Sequence, residues 1–551
     1  MWKKAFNKSI RPVLIIGTLG IVLALNAPDN KYFEIAKNLD IFATLFKEVN
    51  AFYVDEVDPK KSIEIGINAM LSSLDPYTNY IPEEDAEDYR TLTTGEYAGI
   101  GSLIGVIDDK VIITMPNEGF PAEKAGLKIG DEIIKVDTTS VEGKDTNAVS
   151  SLLKGKPGTK VNLEINRNGE IKNFTITRST IILDNVPYYG MVDDNIGYIK
   201  LTDFTTNAGK EVKEALKSLK NKGAESIILD IRENPGGLLF EAVNICNVFI
   251  PKGKLVVETR GKQENWTQQY KTLDQPTDTK IPLVIITSSG SASASEIVCG
   301  TLQDYDRAVL IGRKTFGKGL VQTTRQLPYN AQVKVTTAKY YIPSGRCIQA
   351  IDYSHRNPDG SVGKVPDSLK VAFKTKNGRI VYDGGGITPD VEIDADYLAP
   401  ITISLLSKAY IFNYANQYYY EHPSISGKQD FALTDEEYNA FVSWLSDKNY
   451  DYKTKLEDAL NKLEENKEKD PSIDRIKDKL ETLKKEVAHN KEKDLQTYKP
   501  EIKELLEEEI VGRYYFTRGE IACSVSHDKD VKEAMALLND SAKFKSYLKA
   551  N

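Results

Sequence analysis

Residues 281–322 read IPLVIITSSGSASASEIVCGTLQDYDRAVLIGRKTFGKGLVQ. An apolar strand, LVIIT, runs into a turn of small residues, Ser288-Ser289-Gly290-Ser291-Ala292-Ser293, and Ala294-Ser295-Glu296 then opens a helix. A serine at such a junction sits at a helix N-terminus. Backbone N–H groups there lack intrahelical acceptors, and the helix dipole favours negative charge. Those are the electrostatics that a developing oxyanion needs. Read locally, the same Ser293 also fits an ordinary N-cap.

A serine nucleophile requires a base. The chain has four histidines, His355, His422, His489 and His527, and none falls within residues 181–350. A histidine triad is therefore disfavoured, with His355 left as the nearest alternative. Lysine can take the role where burial disfavours its charged form. The candidate is Lys318, in Thr315-Phe316-Gly317-Lys318-Gly319, where glycines let the backbone come close. Gln322 lies an even number of residues further on, so on an extended backbone it shares a face with Lys318 and can accept from the amine. An exposed loop lysine is the plain alternative. A third segment, Asp230-Ile231-Arg232-Glu233-Asn234-Pro235-Gly236-Gly237-Leu238, follows the strand SIILD. Its turn aims N–H groups across the strand C-termini, the edge at which α/β sheets bind ligands. Gly237 N–H is then a candidate oxyanion donor beside Ala294 N–H, or the segment is simply a tight turn before a helix.

Around these pieces the pattern over 181–400 is α/β. Strands NIGYIKL (195–201), SIILDIR (226–232), LVIITSS (283–289) and AVLIG (308–312) alternate with helices over 209–219, 239–249 and 293–304. Continuous apolar strands between helices predict a mostly parallel sheet covered on both faces.

Upstream, residues 94–180 have short strands and glycine-rich turns. Strands over 102–107 and 110–115 flank Asp108-Asp109, a short helix covers 121–125, and Gly130-Asp131 precedes EIIKVD. A helix over 146–153 and the strand VNLEINR (161–167) follow, with Asn168-Gly169 as the next hairpin turn. This order, and PAEKAGLKIGDEIIKVD above all, resembles a PDZ domain. The resemblance implies that the loop Tyr97-Ala98-Gly99-Ile100-Gly101 offers N–H groups, at Gly99, Ile100 and Gly101, to a peptide's terminal carboxylate while the peptide adds as a strand. The alternative is that these glycines only make a turn.

The ends differ in texture. Lys3, Lys4 and Arg11 precede an apolar run over residues 13–27 that ends at Ala27. This reads as a signal peptide or a membrane anchor over 1–27, and either one exports the rest. Residues 28–93 carry helical periodicity over 35–54 and 62–74, stopped by Asp75-Pro76. They form a helical cap or an oligomerisation element. Residues 401–551 are helical and charged. Thr434-Asp435-Glu436-Glu437 makes a capping box. Leu456, Leu460 and Leu463, then Ile473, Ile476, Leu480, Leu483 and Val487 across Asp470-Pro471, predict an antiparallel hairpin with a narrow seam and a solvated outer face, or a gating surface.

Composition sets the outer bounds. The chain has 551 residues, 72 basic against 80 acidic, for a net charge of −8 with no basic block. Nucleic acid is a poor partner for such a surface. The four cysteines, Cys246, Cys299, Cys347 and Cys523, form no CxxC or Cys/His cluster, which disfavours a zinc site and implies no disulfide framework.

Taken in order, a PDZ-like segment, DIRENPGG, GSASASE, TFGKGLVQ and GGGITPD (384–390) resemble the carboxy-terminal processing peptidases, the tail-specific serine proteases, over about residues 35–400. The resemblance implies an α/β protease core with a crotonase-like or ClpP-like mixed sheet over 181–400, a PDZ domain over 94–180, an N-terminal helical segment over 28–93 and a C-terminal helical extension over 401–551. It places the nucleophile on Ser293, the general base on Lys318, the lysine-orienting glutamine on Gln322, and the oxyanion donors on Gly237 and Ala294. It implies protein substrates met by their C-terminal tails, no metal or organic cofactor, and a periplasmic enzyme, soluble or anchored to the inner membrane. Two other readings stay open on the residues: a non-catalytic peptide-binding scaffold, and a crotonase-like acyl-CoA enzyme.

Overall fold

The structure is a computed structural model that describes residues 31–262, 267–357, 359, 361–427, 430–465, 476–487 and 491–550. The expected leader over 1–27, and Asp470, Pro471 and Ile473, lie outside the described residues. The chain divides into two compact units after Tyr80. In the first, α1 (Lys31–Phe52) and α2 (Pro59–Ser72) come together at Gly66, where Phe42 Cζ lies 3.7 Å from the position a Cβ would take. Asp58 caps α2 by accepting from the Lys60 and Lys61 N–H groups, and Pro59 stands at N1, where no N–H is missed. The N–H groups of Tyr77 and Thr78 both donate to Asp75 Oδ1 at 2.8 Å, closing the Asp75-Pro76 turn.

The second unit begins with α3 (Ala86–Thr94) and β1 (Glu96–Gly99). Then come β2 (Ser102–Ile107), β3 (Lys110–Pro116), α4 (Pro121–Lys124), β4 (Glu132–Val136), α5 (Thr146–Leu153), β5 (Lys160–Arg167), β6 (Glu170–Thr177) and β7 (Ser179–Ile182). Strands β2-β3-β4-β5-β6 form one antiparallel sheet, and β7 pairs back on β1. Asp108 and Asp109 (φ 49° and 61°), like Asn168 and Gly169 (φ 53° and 86°), take the left-handed conformations that two-residue hairpins need. Ile113, Ile133, Val149, Val161 and Ile165 fill the core of this small domain.

The larger domain contains β8 (Tyr188–Asp193), β9 (Ile196–Lys200), α6 (Ala208–Asn221), β10 (Ser226–Asp230), α7 (Leu239–Phe249), β11 (Leu255–Gly261) and β12 (Gln268–Lys271). It continues with β13 (Leu283–Thr287), α8 (Ala294–Asp304), β14 (Val309–Gly312), β15 (Leu320–Gln326), β16 (Gln332–Tyr341) and β17 (Val391–Glu392). The main sheet runs β8-β9-β10-β13-β14-β17, parallel except at the β8 edge. A second, antiparallel set joins β15, β16, β11 and β12. Every residue of β10, β13 and β14 is buried, as strands covered on both faces require. Helices α6, α7 and α8 cover one face through Val212, Leu216, Ile245, Phe249, Val298 and Leu302.

The C-terminal region holds α9 (Pro400–Ser407), α10 (Tyr410–Glu421), α11 (Asp435–Trp444), α12 (Lys455–Glu465), α13 (Lys477–Val487), α14 (Lys491–Thr497), α15 (Lys499–His527), α16 (Lys529–Asn539) and α17 (Ser541–Tyr547). The capping box forms: Glu437 N–H donates to Thr434 Oγ1 and Thr434 N–H to Glu437 Oε2. The seam of α12 and α13 is narrow, with Leu460 and Leu480 buried and Leu456, Leu463, Ile476 and Leu483 exposed. Helix α15 breaks at Phe516 (φ 54°, ψ −161°). Glu520 there comes back beside Gly512, and Ser524 hydrogen-bonds Glu508, so the two halves fold onto each other.

The end of the chain, beyond the α12–α13 hairpin, packs on the main sheet. Ala522, Val525, Val531, Ala534, Leu537 and Phe544 pack on Tyr198, Ile228, Val284, Ile286, Val309 and Ile311. The second face of the main sheet is thus covered by α15–α17, because residues 181–400 supply apolar helices for one face only.

Candidate active site

Ser293 sits between β13 and α8 at φ 56°, ψ −112°. Non-glycine residues avoid that region at a cost of about 1–3 kcal/mol, and such strain gathers at functional sites. Three contacts hold it. Ser293 N–H donates to Glu296 Oε2 at 2.9 Å, and its carbonyl accepts from Ile297 N–H at 3.0 Å and from the Tyr340 hydroxyl at 3.1 Å.

The same two side chains hold Lys318. Its N–H donates to Glu296 Oε2 at 2.9 Å, and its carbonyl accepts from the Tyr340 hydroxyl at 2.5 Å. Glu296 Oε1 accepts from Gly317 N–H at 2.8 Å and from the Thr315 hydroxyl at 2.5 Å. One fully buried carboxylate and one buried phenol therefore fix the main chain of Ser293 and Lys318 together. Burial pushes the Glu296 carboxyl up to about 7, against the pull of four donors. Sequence reasoning assigned neither residue. Glu296 had a signal, since Ser293-x-x-Glu296 is a capping-box spacing; Tyr340 on β16 had none.

The Asp230–Leu238 segment packs directly on this turn. A Cβ at Gly236 (φ 94°) would lie 2.9 Å from Ser293 Cβ and 2.6 Å from the Ala292 carbonyl, so the approach requires glycine. Asn234 O accepts from Ala292 N–H at 3.0 Å and Ser295 Oγ at 2.9 Å. Glu233 N–H donates to Ser288 Oγ, and Ser291 Oγ to Ile231 O. Among the described residues, the N–H groups of Gly237 and Ala294 meet no protein acceptor.

Lys318 itself is half-buried in the loop before β15. Gln322 lies on β15, which starts at Leu320; its pairing with β16 slips between Val321 and Gln322, where β16 carries the extra residue and β15 runs without one. The Gln322 amide nitrogen donates to Thr336 Oγ1 at 3.2 Å. His355, the alternative base, faces solvent and pairs with Asp352 at 2.6 Å.

In the smaller domain, Gly101 (φ 75°) could not carry a Cβ without meeting Phe120 Cβ at 2.6 Å. The carbonyls of Ile100 and Gly101 accept from Ala122 N–H and Asn117 N–H, whereas the N–H groups of Ile100 and Gly101 meet no protein acceptor among the described residues. A cavity of about 500 Å³ opens next to this loop, lined in part by Tyr97, Ala98, Ser151, Lys154 and Thr180. Helix α3 links the two regions: Asp88 pairs with Lys154 at 2.7 Å, and the Tyr89 hydroxyl meets Thr324 Oγ1 on β15 at 2.5 Å.

Residues 195–362 match the family model "Peptidase family S41", residues 98–177 match "PDZ domain", and residues 401–538 match "Probable PDZ-protease, C-terminal helical domain". A carboxy-terminal-processing protease of Bartonella bacilliformis is 38% identical over 338 residues, 60% of this chain and 77% of that protein. The carboxy-terminal processing protease CtpA of Bacillus subtilis is 38% identical over 305 residues, 55% of this chain and 65% of that protein. Among solved structures, a photosystem II D1 C-terminal processing protease is similar at 26% identity and a TM-score of 0.35, over 65% of this chain and 87% of that one.

Proposed function

The chain belongs to the carboxy-terminal-processing proteases of peptidase family S41, and on that basis we propose that it is an exported serine endopeptidase with a Ser293–Lys318 dyad. Lys318, in its neutral form, takes the proton of Ser293, whose oxygen attacks the scissile carbonyl. The N–H groups of Gly237 and Ala294 receive the oxyanion. The ammonium of Lys318 returns the proton to the leaving amine, and water, deprotonated by the same lysine, releases the acyl-enzyme. Gln322 holds the lysine side chain in line. The loop at Gly99, Ile100 and Gly101 takes the terminal carboxylate of the substrate tail. The leader over 1–27 carries the enzyme across the inner membrane, where it is released or stays anchored.

One observation carries this reading. A strained Ser293 and Lys318 share the Glu296 carboxylate and the Tyr340 hydroxyl, beside two N–H groups that meet no acceptor among the described residues. The test is cleavage of an unfolded protein with an apolar C-terminus by wild type, Ser293→Ala and Lys318→Ala. Each variant is expected to lose about 10³-fold or more in kcat/KM. Activity is expected to fall toward acid, where Lys318 is protonated and cannot take the Ser293 proton. Variants that cut as well as wild type refute the dyad.

A further inference from the structure

Asp530 lies in the first turn of α16 and is 2% exposed. Its Oδ2 accepts from two arginines, Arg232 Nη1 at 3.0 Å and Arg313 Nη1 at 2.5 Å. The two arginines head the two loops of the candidate active site. Arg232 stands two residues after the end of β10 and opens the segment that carries Gly236 and Gly237. Arg313 directly follows β14 and opens the segment that carries Lys318. Asp528, the N-cap of α16, adds a second grip on Arg232 through Nη2 at 2.7 Å.

The rest of the cluster completes the charge balance. Asp230 accepts from Arg232 Nε at 3.1 Å and the Tyr198 hydroxyl at 2.7 Å, with Lys200 Nζ at 3.2 Å. Burial alone would raise the Asp230 carboxyl, but Arg232 and Lys200 outweigh it and hold it ionised. Asp230, Asp528 and Asp530 thus face Lys200, Arg232 and Arg313. A buried ionic cluster is a poor source of stability compared with apolar packing. Here apolar packing is already present on the same helices, through Val531, Ala534, Leu537 and Phe544. What the charges add is direction: arginine forks in a fixed geometry set where each loop leaves its strand.

We infer that Asp530 is a positioning residue, through which the C-terminal extension sets the spacing between the oxyanion loop and the lysine loop. The inference rests on the Ser293–Lys318 reading above. Asp530 touches no reacting atom and acts through Arg232 and Arg313. The extension is then a working part of the catalytic domain as well as its second cover.

The test uses the full chain with Asp530→Asn. A displacement of about 1 Å at a reacting centre costs about 10²-fold, so kcat is expected to fall about 10- to 100-fold while KM moves less than about 3-fold. The rate at which a fluorophosphonate labels Ser293 is expected to fall in parallel, and affinity for an uncleavable tail peptide to stay put. Leu537→Ala, on the same helix but away from the arginines, is the stability control and should lower the thermal midpoint without changing kcat well below that midpoint. If Asp530→Asn only lowers the midpoint, with kcat and labelling as in wild type, the inference is overturned. Should Asp530→Asn not fold, Asp528→Asn is read in the same way, with an expected kcat loss of about 3- to 10-fold; wild-type kcat there overturns the inference as well. A wild type that neither cuts nor is labelled overturns the dyad itself and the inference with it.

Discussion

The β15–β16 hairpin and the main sheet both receive a neighbouring domain, and they receive it by different physics. On the side of the PDZ domain the bridge is α3, through the part-exposed Asp88–Lys154 pair and a single Tyr89–Thr324 hydrogen bond. Behind that domain, Lys128 Nζ reaches Tyr419 Oη at 2.8 Å. On the side of the extension a continuous apolar face is buried and a charged cluster closes under it. Exposed ion pairs contribute about 0–1 kcal/mol, whereas a fully buried Leu or Phe contributes about 1.5–3 kcal/mol. Each of these polar contacts of the PDZ domain is of a kind that costs little to break. The extension is held as a piece of the core.

The largest effect that could break this contrast is deletion. A chain ending at His527 strips Val531, Ala534, Leu537 and Phe544 from the sheet and should show no cooperative unfolding transition in circular dichroism. Retention of a native transition would make the extension an accessory after all. The point version is Leu537→Ala, expected to cost about 2–4 kcal/mol in denaturant unfolding.

A second, smaller effect concerns pH. Burial pushes both Glu508 and Glu520, in the folded-back halves of α15, up to about 7. Their folded-state values lie above the ordinary 4.5, so the fold binds these protons more tightly than the unfolded chain does. The associated stability is complete below about pH 4.5 and is lost as pH rises through about 7. Unfolding free energies at pH 5 and pH 8 should therefore differ less in Glu520→Gln than in wild type, by about 1–2 kcal/mol. An identical pH dependence would remove α15 as the titrating joint.

The smallest expected effect sharpens the other side. Tyr89→Phe deletes one hydrogen bond between α3 and β15 and should change stability by less than about 1 kcal/mol. A loss as large as that of Leu537→Ala would put the two attachments on the same footing.

Much of the site was legible because its signals are local. Ser293 at a helix start, Lys318 between glycines and Asn234-Pro235-Gly236-Gly237 after a buried strand each declare a backbone geometry within a few residues. The hairpin turns at Asp108-Asp109 and Asn168-Gly169 were readable for the same reason. Glu296 could have been found from its capping-box spacing. The slip in pairing between Val321 and Gln322 was not legible, because it comes from an extra residue in β16, which alternation along β15 does not encode.

By itself, then, the amino-acid order determined which segments are strands, helices and turns, and which residues were eligible for the chemistry, since backbone preference and apolar periodicity act over neighbouring positions. The tertiary structure alone decided what those residues meet. Tyr340 reaches Ser293 across 47 positions, Asp530 reaches Arg313 across 217 and Arg232 across 298. A polar contact over such a separation leaves no periodic mark on the chain, because it depends on burial and direction that exist only once the sheet has both its faces covered.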